Sequence, residues 1–503
     1  MDDKSSMTPL LHGYKDVEGA PEAGQPTEPS PAPHGCDPVA RKRKRRRILF
    51  HFFTLLAVVS LVTFHSRRSS RRCHKGRLAG KGNWEMDHGD EDHDHGYIVP
   101  PGVVLEKCTT WDGNDVDAAF WPPPHRGPGH HEEPTTSSAA FTVPVDKKLF
   151  FLSTGSLASG SFKLTQAEDR TGNDVNTKVD ITTYDNGDSK FHDHILGLVR
   201  VCTISKEHDE SAAGVGIFTP RWRWRGGGDP HRHWRSPHFD VAVELPRALS
   251  SDLASSDPLS ISSFTTHLPA FTHDVQLPAD GVTFKNLALT STNAHIDAAS
   301  IVAQNLTIIT SNGAIKGEFT TSDKLVLATS NAGIDATLSL YGSDSDKATT
   351  AFLSTNNGHI VAATSLLSGS EESGGKFNVT ATTSNAKVGL TFPQAPVKST
   401  LKLSTHTSNG GVDVSLHPTY EGSYLLTSSA TQNLRVIADE NEADPEGRGR
   451  KRIVNNKFAT KGFVKGETYW ESKDEKEDYW GSALLTTSNA HVTLKFEGQE
   501  DSE

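Results

Sequence analysis

TSNGAI at residues 310–315 and TSNAGI at 329–334 are two copies of the phrase that decides how this chain folds. The phrase runs Thr or Ser, a small polar residue, Asn, small residues, then Ile or Val. Asn and Gly tolerate the left-handed backbone that tight turns require, and Asn also bonds to its own backbone. The seven copies therefore predict seven turns. Their asparagines are Asn293, Asn312, Asn331, Asn357, Asn385, Asn409 and Asn489.

Both flanks of the phrase alternate apolar and polar residues. Leu325 and Leu327 lead into the third turn, with one residue between them. Ile334 and Ala336 lead out of it in the same pattern. Alternation with period two is typical of half-buried strands. The sequence therefore predicts an all-β repeat domain over residues 261–497.

Two arrangements of these turns fit the sequence. If each turn is the tip of a hairpin, the strands close into a β-sandwich or barrel. If each turn is a corner, each repeat is one coil of a β-solenoid, with Ile, Val and Leu inside and Thr and Ser outside. The turn asparagines are separated by 19, 19, 26, 28, 24 and 80 residues, with a weaker copy, SSATQNLRV (428–436), inside the long gap. Because the first spacing is held twice, we expect the solenoid.

An apolar run near the N terminus predicts a membrane anchor. ILFHFFTLLAVVSLVTF (48–64) has no formal charge and lies between RKRKRRR (41–47) and HSRRSSRR (65–72). As a helix it spans roughly 25 Å, a little short of a bilayer core of about 30 Å, and flanking arginines can snorkel. The denser basic flank comes first, so the positive-inside rule predicts that residues 1–47 are cytosolic and the β domain is lumenal or extracellular.

Composition divides the rest of the chain. Residues 1–47 read as a disordered tail, and 65–140, rich in Pro, Gly, His and acids, as a flexible stem. A β region is predicted over 141–260, because short strand-like runs, the last at His194–Val201, are joined by Gly, Asn and Asp turns. GRGRKR (447–452) resembles a dibasic processing site in an exposed loop.

Two features bear on the compartment. Asn305 and Asn378 each begin an N-x-Thr glycosylation sequon, which is useful only in the secretory pathway. Cys108 and Cys202 fall in the segment expected outside the cytosol. They either pair with each other, or Cys108 stays free or pairs between chains.

The run RWRWR is the most unusual local composition in the chain. Alternation along a strand puts its arginines on one face and its indoles on the other. The run is either a cation–π or stacking patch for a sugar ring or an anionic partner, or a hairpin whose Trp face packs on the domain. Packing is favoured, because Trp is usually mostly buried. The five residues are Arg221, Trp222, Arg223, Trp224 and Arg225.

Charge and motif content exclude several classes of function. The formal net charge is −11 although the membrane flanks are strongly basic, which argues against nucleic acid as a partner of the β domain. No G-x-S-x-G, H-E-x-x-H or phosphate-loop motif has a supporting context, and no cofactor or metal site is expected. Asp297, Asp335 and Asp413 recur at most once per repeat as solvated strand positions, without the cluster that lyase or metal chemistry needs.

Several motifs together resemble a known family. GSLASGSFKL (155–164), GVGIFTPRW (214–222), FDVAVELP (239–246), GETYW (466–470) and the repeated phrase are similar to an uncharacterised fungal family of single-pass membrane proteins. The repeat domain of that family resembles bacterial putative-adhesin domains built from T-S-N-G-x-I coils. The resemblance covers about 141–497. It implies an adhesin-like β domain behind one membrane helix, with no catalytic residues to carry over.

The sequence therefore predicts a membrane-anchored, adhesin-like binding or structural protein of the cell surface or secretory pathway. Its expected partners, besides the membrane, are cell-wall polysaccharide or another surface protein. The alternative is a carbohydrate-active enzyme, a polysaccharide lyase or hydrolase, on a β-helix scaffold. Three or more acids and a base converging on one groove would indicate the enzyme.

Overall fold

A computed structural model describes most of the chain between residues 96 and 496. Among the described residues, no helix is long and apolar enough to cross a membrane. The apolar run at 48–64 lies outside the described residues, as does the cytosolic tail predicted for 1–47. The described residues are 96–109, 111, 133–185, 189–220, 236–247, 258–342, 347–369, 374–429, 433–439, 442–471 and 480–496.

The fold is nearly all β, with one short helix in the described part of the chain. The elements before the repeats are β1 (Val103–Cys108), β2 (Glu133–Pro144), β3 (Lys148–Thr154), β4 (Gly160–Thr171), β5 (Asp174–Asp185), α1 (Ser189–Gly197), β6 (Arg200–Lys206), β7 (Asp209–Phe218) and β8 (His238–Arg247).

The repeats supply the remaining strands. They are β9 (Leu259–His267), β10 (Phe271–Gln276), β11 (Val282–Thr290), β12 (Ile296–Ile309), β13 (Ile315–Ala328), β14 (Ile334–Gly342), β15 (Thr349–Ser354), β16 (Ile360–Ser368), β17 (Lys376–Thr382), β18 (Val388–Thr391), β19 (Thr400–His406), β20 (Val412–Leu416), β21 (Gly422–Ser428), β22 (Leu434–Ala438), β23 (Arg452–Thr460), β24 (Phe463–Trp470), β25 (Gly481–Thr487) and β26 (Val492–Phe496).

The repeat strands form two parallel ladders. The entry ladder contains the strands that lead into the phrases, in the order β9, β11, the second halves of β12 and β13, β15, β17, β19, β25 and β21. The exit ladder contains the strands that lead out, in the order β10, the first halves of β12 and β13, β14, β16, β18, β20, β26 and β22. A tight turn joins antiparallel strands, so parallel pairing means that these phrases are not hairpin tips.

One apolar residue per repeat fills an interior row of the exit ladder. Each lies directly after a turn and opposite its counterpart in the next repeat, and each is 0% exposed. Burying one such side chain stabilises the fold by roughly 1.5–3 kcal/mol relative to leaving it in water. The row is Ile296, Ile315, Ile334, Ile360, Val388, Val412 and Val492.

The last copy of the phrase does not lie at the end of the stack. β25 pairs with β19 on one side and β21 on the other, and β26 lies between β20 and β22 in the same way. The segment 481–496 is therefore inserted between two repeats that precede it in the chain. The gap of 80 residues separates phrases that are neighbours in space. The weaker copy at 428–436 contributes to the repeat beyond the insertion.

A hairpin of β23 and β24 packs beside β21 at this end of the stack. Arg452 of β23 is largely buried, and its guanidinium donates to the carbonyls of Pro418 and Tyr420. Burial lowers the pKa of Arg452 to about 10. Arg450 makes two hydrogen bonds, of 2.8 and 3.1 Å, to the carboxylate of Asp444. These contacts do not fit the dibasic processing site predicted for 447–452, because a protease needs exposed basic side chains.

The N-terminal strands extend both ladders. β7 and β3 continue the entry ladder beyond β9, and β8 and β4 continue the exit ladder beyond β10. β1 pairs with β6, and a disulfide joins Cys108 to Cys202. Both β1 and the start of β2 lie in the segment predicted as a flexible stem (65–140), where their pairing with β6 and β5 orders the backbone. The strand predicted at His194–Val201 is instead the end of α1 and the start of β6.

Aromatic residues fill the interior where the N-terminal strands meet the repeats. The ring centroid of Phe264 lies 5.3 Å from that of Phe151 and 5.9 Å from that of Phe284. His273 is fully buried among them, accepting at Nε2 from the Thr266 hydroxyl (2.8 Å) and donating from Nδ1 to the Phe271 carbonyl (3.1 Å). Both contacts suit a neutral imidazole. Burial is the main cause that lowers the pKa of His273 to about 4.

We predict that replacing Leu485 in the inserted strand β25 destabilises the protein far more than replacing its neighbour. Leu485 is 0% exposed and Leu484 is 40% exposed, because adjacent residues of a strand face opposite sides. Leu485→Ala should lower the free energy of unfolding by about 2–5 kcal/mol. Leu484→Ala should change it by less than about 0.5 kcal/mol. Urea unfolding of the two variants measures the difference, and equal losses would contradict the inserted position.

We predict that His273 makes the protein less stable in acid. The folded-state pKa of about 4 lies below the ordinary value of 6.5. Between these two pH values, the imidazole is therefore protonated in the unfolded chain but neutral in the folded chain. Stability is complete above about pH 6.5 and falls as the pH drops toward 4, by about 3 kcal/mol in all. His273→Phe should flatten this part of the curve of unfolding free energy against pH. An unchanged slope in the variant would show that His273 is not the group responsible.

Candidate functional site

The asparagines of the seven phrases form one continuous row of side-chain hydrogen bonds, the asparagine ladder. Each Nδ2 donates to the Oδ1 of the preceding asparagine in the stack, over 2.6–2.8 Å. The order follows space rather than sequence, since Asn489 donates to Asn409. All seven side chains are exposed, and the bonds run in one direction, so neighbouring amide dipoles reinforce one another.

A buried hydroxyl lies two residues before each ladder asparagine. The Thr329 hydroxyl donates to the Gly313 carbonyl of the preceding repeat at 3.0 Å. The threonines of the other phrases make the same bond at 2.9–3.1 Å. In the first phrase, the Ser291 hydroxyl donates to the carbonyls of Pro269 and Phe271 instead. Ser428 donates to the Ala490 carbonyl in the same way, which extends the row past the last phrase. The prediction that Thr and Ser line the outside is therefore wrong for this position, whose members are at most 6% exposed.

The residue after each ladder asparagine alternates between Ala and Gly along the stack. A Cβ on Gly358 would lie 1.8 Å from the Ala332 carbonyl oxygen, and one on Gly410 would lie 1.8 Å from that of Ala386. Adjacent corners therefore approach closely at every second repeat. The row is Ala294, Gly313, Ala332, Gly358, Ala386, Gly410 and Ala490.

Imidazoles lie beside aspartates at the start of the exit ladder. The pairs are His295–Asp297, His359–Asp335 and His491–Asp413, with Nε2–Oδ distances of 3.5, 3.0 and 3.2 Å. The Lys387 ammonium lies 3.1 Å from the same Asp413 carboxylate. Burial of Asp413 opposes ionisation, but hydrogen bonds from Lys387 and His491 outweigh it and lower its pKa. These aspartates are partly exposed strand positions, as the sequence predicted, and each of them also lies beside a basic group. The sequence feature that could have predicted this pairing is a His two residues after the ladder asparagine, which occurs in three phrases.

The outward side of the entry ladder, which we call the entry face, has a different chemistry. Along one row, Thr307, Val326, Phe352 and Thr380 stand opposite one another on β12, β13, β15 and β17. The neighbouring row contains Asn305 and Asn378, the asparagines of the two sequons. No carboxylate occurs in either row across these four strands. The entry face is therefore neutral to weakly basic, in contrast to the acidic chain as a whole.

The structure brings together some of the residues singled out in the sequence. The seven turn asparagines share one corner, the two sequon asparagines share the entry face, and Cys108 is bonded to Cys202. Residues 221–225, the Arg-Trp run, lie outside the described residues.

The described residues form no metal-binding cluster, and a depression on their surface carries no acidic side chain. Within the described ranges, no group of three or more His, Cys, Asp or Glu side chains could hold a metal ion. An open depression of about 550 Å³ lies between the ends of β16 and β18, and none of its lining residues is an acid. The lining residues include Leu366, Leu367, Gln394, Pro396 and His417.

Comparisons with known proteins give only distant structural likeness. No protein-family model and no curated protein sequence matches the chain. A solved putative adhesin from Parabacteroides merdae is similar at 12% identity, covering 56% of this chain and 89% of that chain, with a TM-score of 0.26. A putative adhesin from Bacteroides fragilis is similar at 10% identity, 71% and 97% coverage and a TM-score of 0.23. A putative cell adhesion protein from Clostridium sporogenes is similar at 9% identity, 72% and 100% coverage and a TM-score of 0.16. At these TM-scores, the likeness carries no argument about function.

We predict that the ladder stabilises the stack. Asn357→Ala removes two amide hydrogen bonds, one to Asn331 and one from Asn385, and should lower the free energy of unfolding by about 1–2 kcal/mol. The neighbouring Asn356 is exposed and has no side-chain hydrogen bond within the described residues, so Asn356→Ala is the matched control and should be nearly neutral. Thermal unfolding measures the melting temperatures of both variants, and we expect a lower value for Asn357→Ala than for Asn356→Ala. Equal melting temperatures would show that the ladder contributes nothing.

Proposed function

We propose that this chain is a membrane-anchored, adhesin-like binding and structural protein. Its repeats wind as a β-solenoid that is displayed outside the cytosol, with the corner of ladder asparagines as the binding surface. The ligand class that fits best is a neutral polysaccharide with a repeating unit. Another surface protein is the competing partner.

The observation that carries this proposal is the regular array at the corner. Successive repeats are about 4.8 Å apart, the spacing of paired strands, so identical groups recur at that interval along the stack. Each ladder amide keeps one N–H and part of its oxygen for an outside partner, because the ladder uses one bond of each. The residue before each ladder asparagine adds a second polar row. Its members are Thr292, Ser311, Ser330, Asn356, Ser384, Ser408 and Ser488. Uncharged donors and acceptors at a fixed interval suit the hydroxyl groups of a linear neutral glycan.

We propose a binding protein rather than an enzyme on the same scaffold. Glycoside hydrolysis requires two carboxylates that flank one bond, with one of them held protonated or nucleophilic. The carboxylates of Asp335 and Asp413 lie instead against imidazoles or an ammonium, at most one set per repeat. This spread of carboxylates over separate repeats, rather than two acids flanking one bond, supports binding without turnover.

The proposed placement has two supports besides the charge bias around residues 48–64. The Cys108–Cys202 disulfide is of the kind that persists in oxidising compartments, which include the secretory lumen and the cell surface. The first described strand also begins at Val103, well after the end of the apolar run at Phe64, which leaves enough chain between them for the proposed stem. In this proposal, residues 1–47 remain in the cytosol.

Sedimentation with insoluble polysaccharide tests the binding proposal. Detergent-solubilised full chain is mixed with cellulose, chitin or β-glucan particles at physiological ionic strength, and the pelleted fraction is measured. We expect pelleting with at least one of them. Ser384→Glu, which adds a charge at the corner, should abolish it. Thr391→Glu, on an equally exposed site of the exit ladder, is the matched control and should bind as the wild type does.

Three outcomes would overturn the proposal. The chain could pellet with no polysaccharide, or both glutamate variants could bind like the wild type, or soluble sugar could be released from the particles. The last would establish the enzyme. Separately, resistance of the full chain to carbonate extraction from membranes tests the anchor, and complete extraction would refute it.

A further inference from the structure

We infer that Asn305 and Asn378 carry N-linked glycans, and that the two glycans jointly cover the apolar patch that lies between them on the entry face. This inference rests on the proposed placement of the β domain outside the cytosol. It adds two modification sites and assigns an occupant to the entry face, which is separate from the proposed binding surface at the corner.

The two sequons lie on the same face of the folded chain, a proximity that the sequence alone does not show. The chain has 20 asparagines, and only Asn305 and Asn378 are followed at the second position by Thr or Ser. Both lie in the same outward row of the entry ladder, where Asn305 is opposite Lys324, Lys324 opposite Thr350, and Thr350 opposite Asn378. Three strand spacings separate them, or about 14 Å.

Both acceptor amides are available in the folded protein. Leu306 and Val379, the residues next to them, are 0% exposed, so the asparagines themselves point outward. Neither has a side-chain hydrogen bond among the described residues. Asn286, which lies opposite Asn305 on β11 and begins no sequon, instead donates its Nδ2 to the Ser262 carbonyl at 3.3 Å. A glycan at Asn305 or Asn378 would therefore break no contact of the fold.

The patch between the two sites is apolar. Val326 and Phe352 are half-buried and lie side by side on the two strands that separate the sequon strands. Ile309 and Ala328 extend this patch in the next outward row. The part of these adjoining apolar side chains that still meets water gains free energy when a neighbouring group covers it. Since the only two sequons of the chain stand on opposite sides of this patch, the chain's own glycans are the occupant that the structure favours, because a glycan is bulky and solubilising.

The first test removes each sequon without changing its asparagine. Full-length chain is made in a eukaryotic secretory host and digested with an endoglycosidase that removes N-glycans. We expect two glycosidase-sensitive mobility steps on a gel, of which Thr307→Val and Thr380→Val each remove one. Thr382→Val, an outward threonine on the same strand β17 but in no sequon, should keep both steps. A single step, or steps that survive both substitutions, would overturn the inference.

Protease digestion of sealed microsomes separates this inference from the placement on which it rests. If the β domain is protected but shows no glycosidase-sensitive shift, the glycans are refuted and the placement stands. If the domain is digested, the proposed placement itself is refuted. Protection together with two shifts supports both.

The second test concerns the covering of the patch. Light scattering at increasing protein concentration should show self-association of an Asn305→Gln/Asn378→Gln double variant, which removes both sequons without adding apolar surface, but not of the glycosylated wild type. Adding Phe352→Thr, which removes the largest apolar side chain of the patch, should reverse it. If the double variant behaves as the wild type does, the glycans do not cover the patch. If the glycosylated wild type already associates and Phe352→Thr disrupts it, a second copy is the occupant instead.

Discussion

The hydrogen bond from a buried hydroxyl to the carbonyl of the adjacent corner sets the register of the whole stack. Thr329 and its counterparts are nearly inaccessible to water, so an unpaired hydroxyl or carbonyl there would cost about 1–3 kcal/mol. A slip by one residue would break this bond in the repeat concerned and would turn its apolar row toward solvent. The asparagine ladder above the hydroxyls and the Ile/Val row after them both follow from this one constraint.

Local features of the fold could be predicted from the sequence, and features that depend on long-range order could not. The phrase with its alternating flanks predicted turns, strands and the inward position of residues such as Ile334. The order of strands across the sheet could not be predicted, because nothing near Asn489 indicates that its neighbour is Asn409. The burial of Thr329 was also missed, since Thr is polar and usually exposed, and only the nearby carbonyl explains its position. The His359–Asp335 pair was missed because it joins two repeats.

Outward positions in the repeats differ in chemistry from one side of the stack to another, while the inward positions hardly change. The corner presents amides and hydroxyls, the start of the exit ladder presents ion pairs such as Lys387–Asp413, and the entry face presents Thr, Val and Phe. Because successive residues of a strand face opposite sides, each outward position can change without disturbing the core. Separate binding and covering surfaces can therefore coexist on one repetitive scaffold.

The insertion of 481–496 between two earlier repeats has a consequence for biosynthesis. The repeat strands from β9 to β20 can stack in the order in which they leave the ribosome, because each repeat adds to the one before it. β21 and β22 must wait, since their parallel partners β25 and β26 are made after them. Until then, two apolar edges remain open, and exposed edges invite aggregation or capture by chaperones. A stop between β20 and β25 would leave this gap unfilled for good, and the open edges would stay available to chaperones or to other chains.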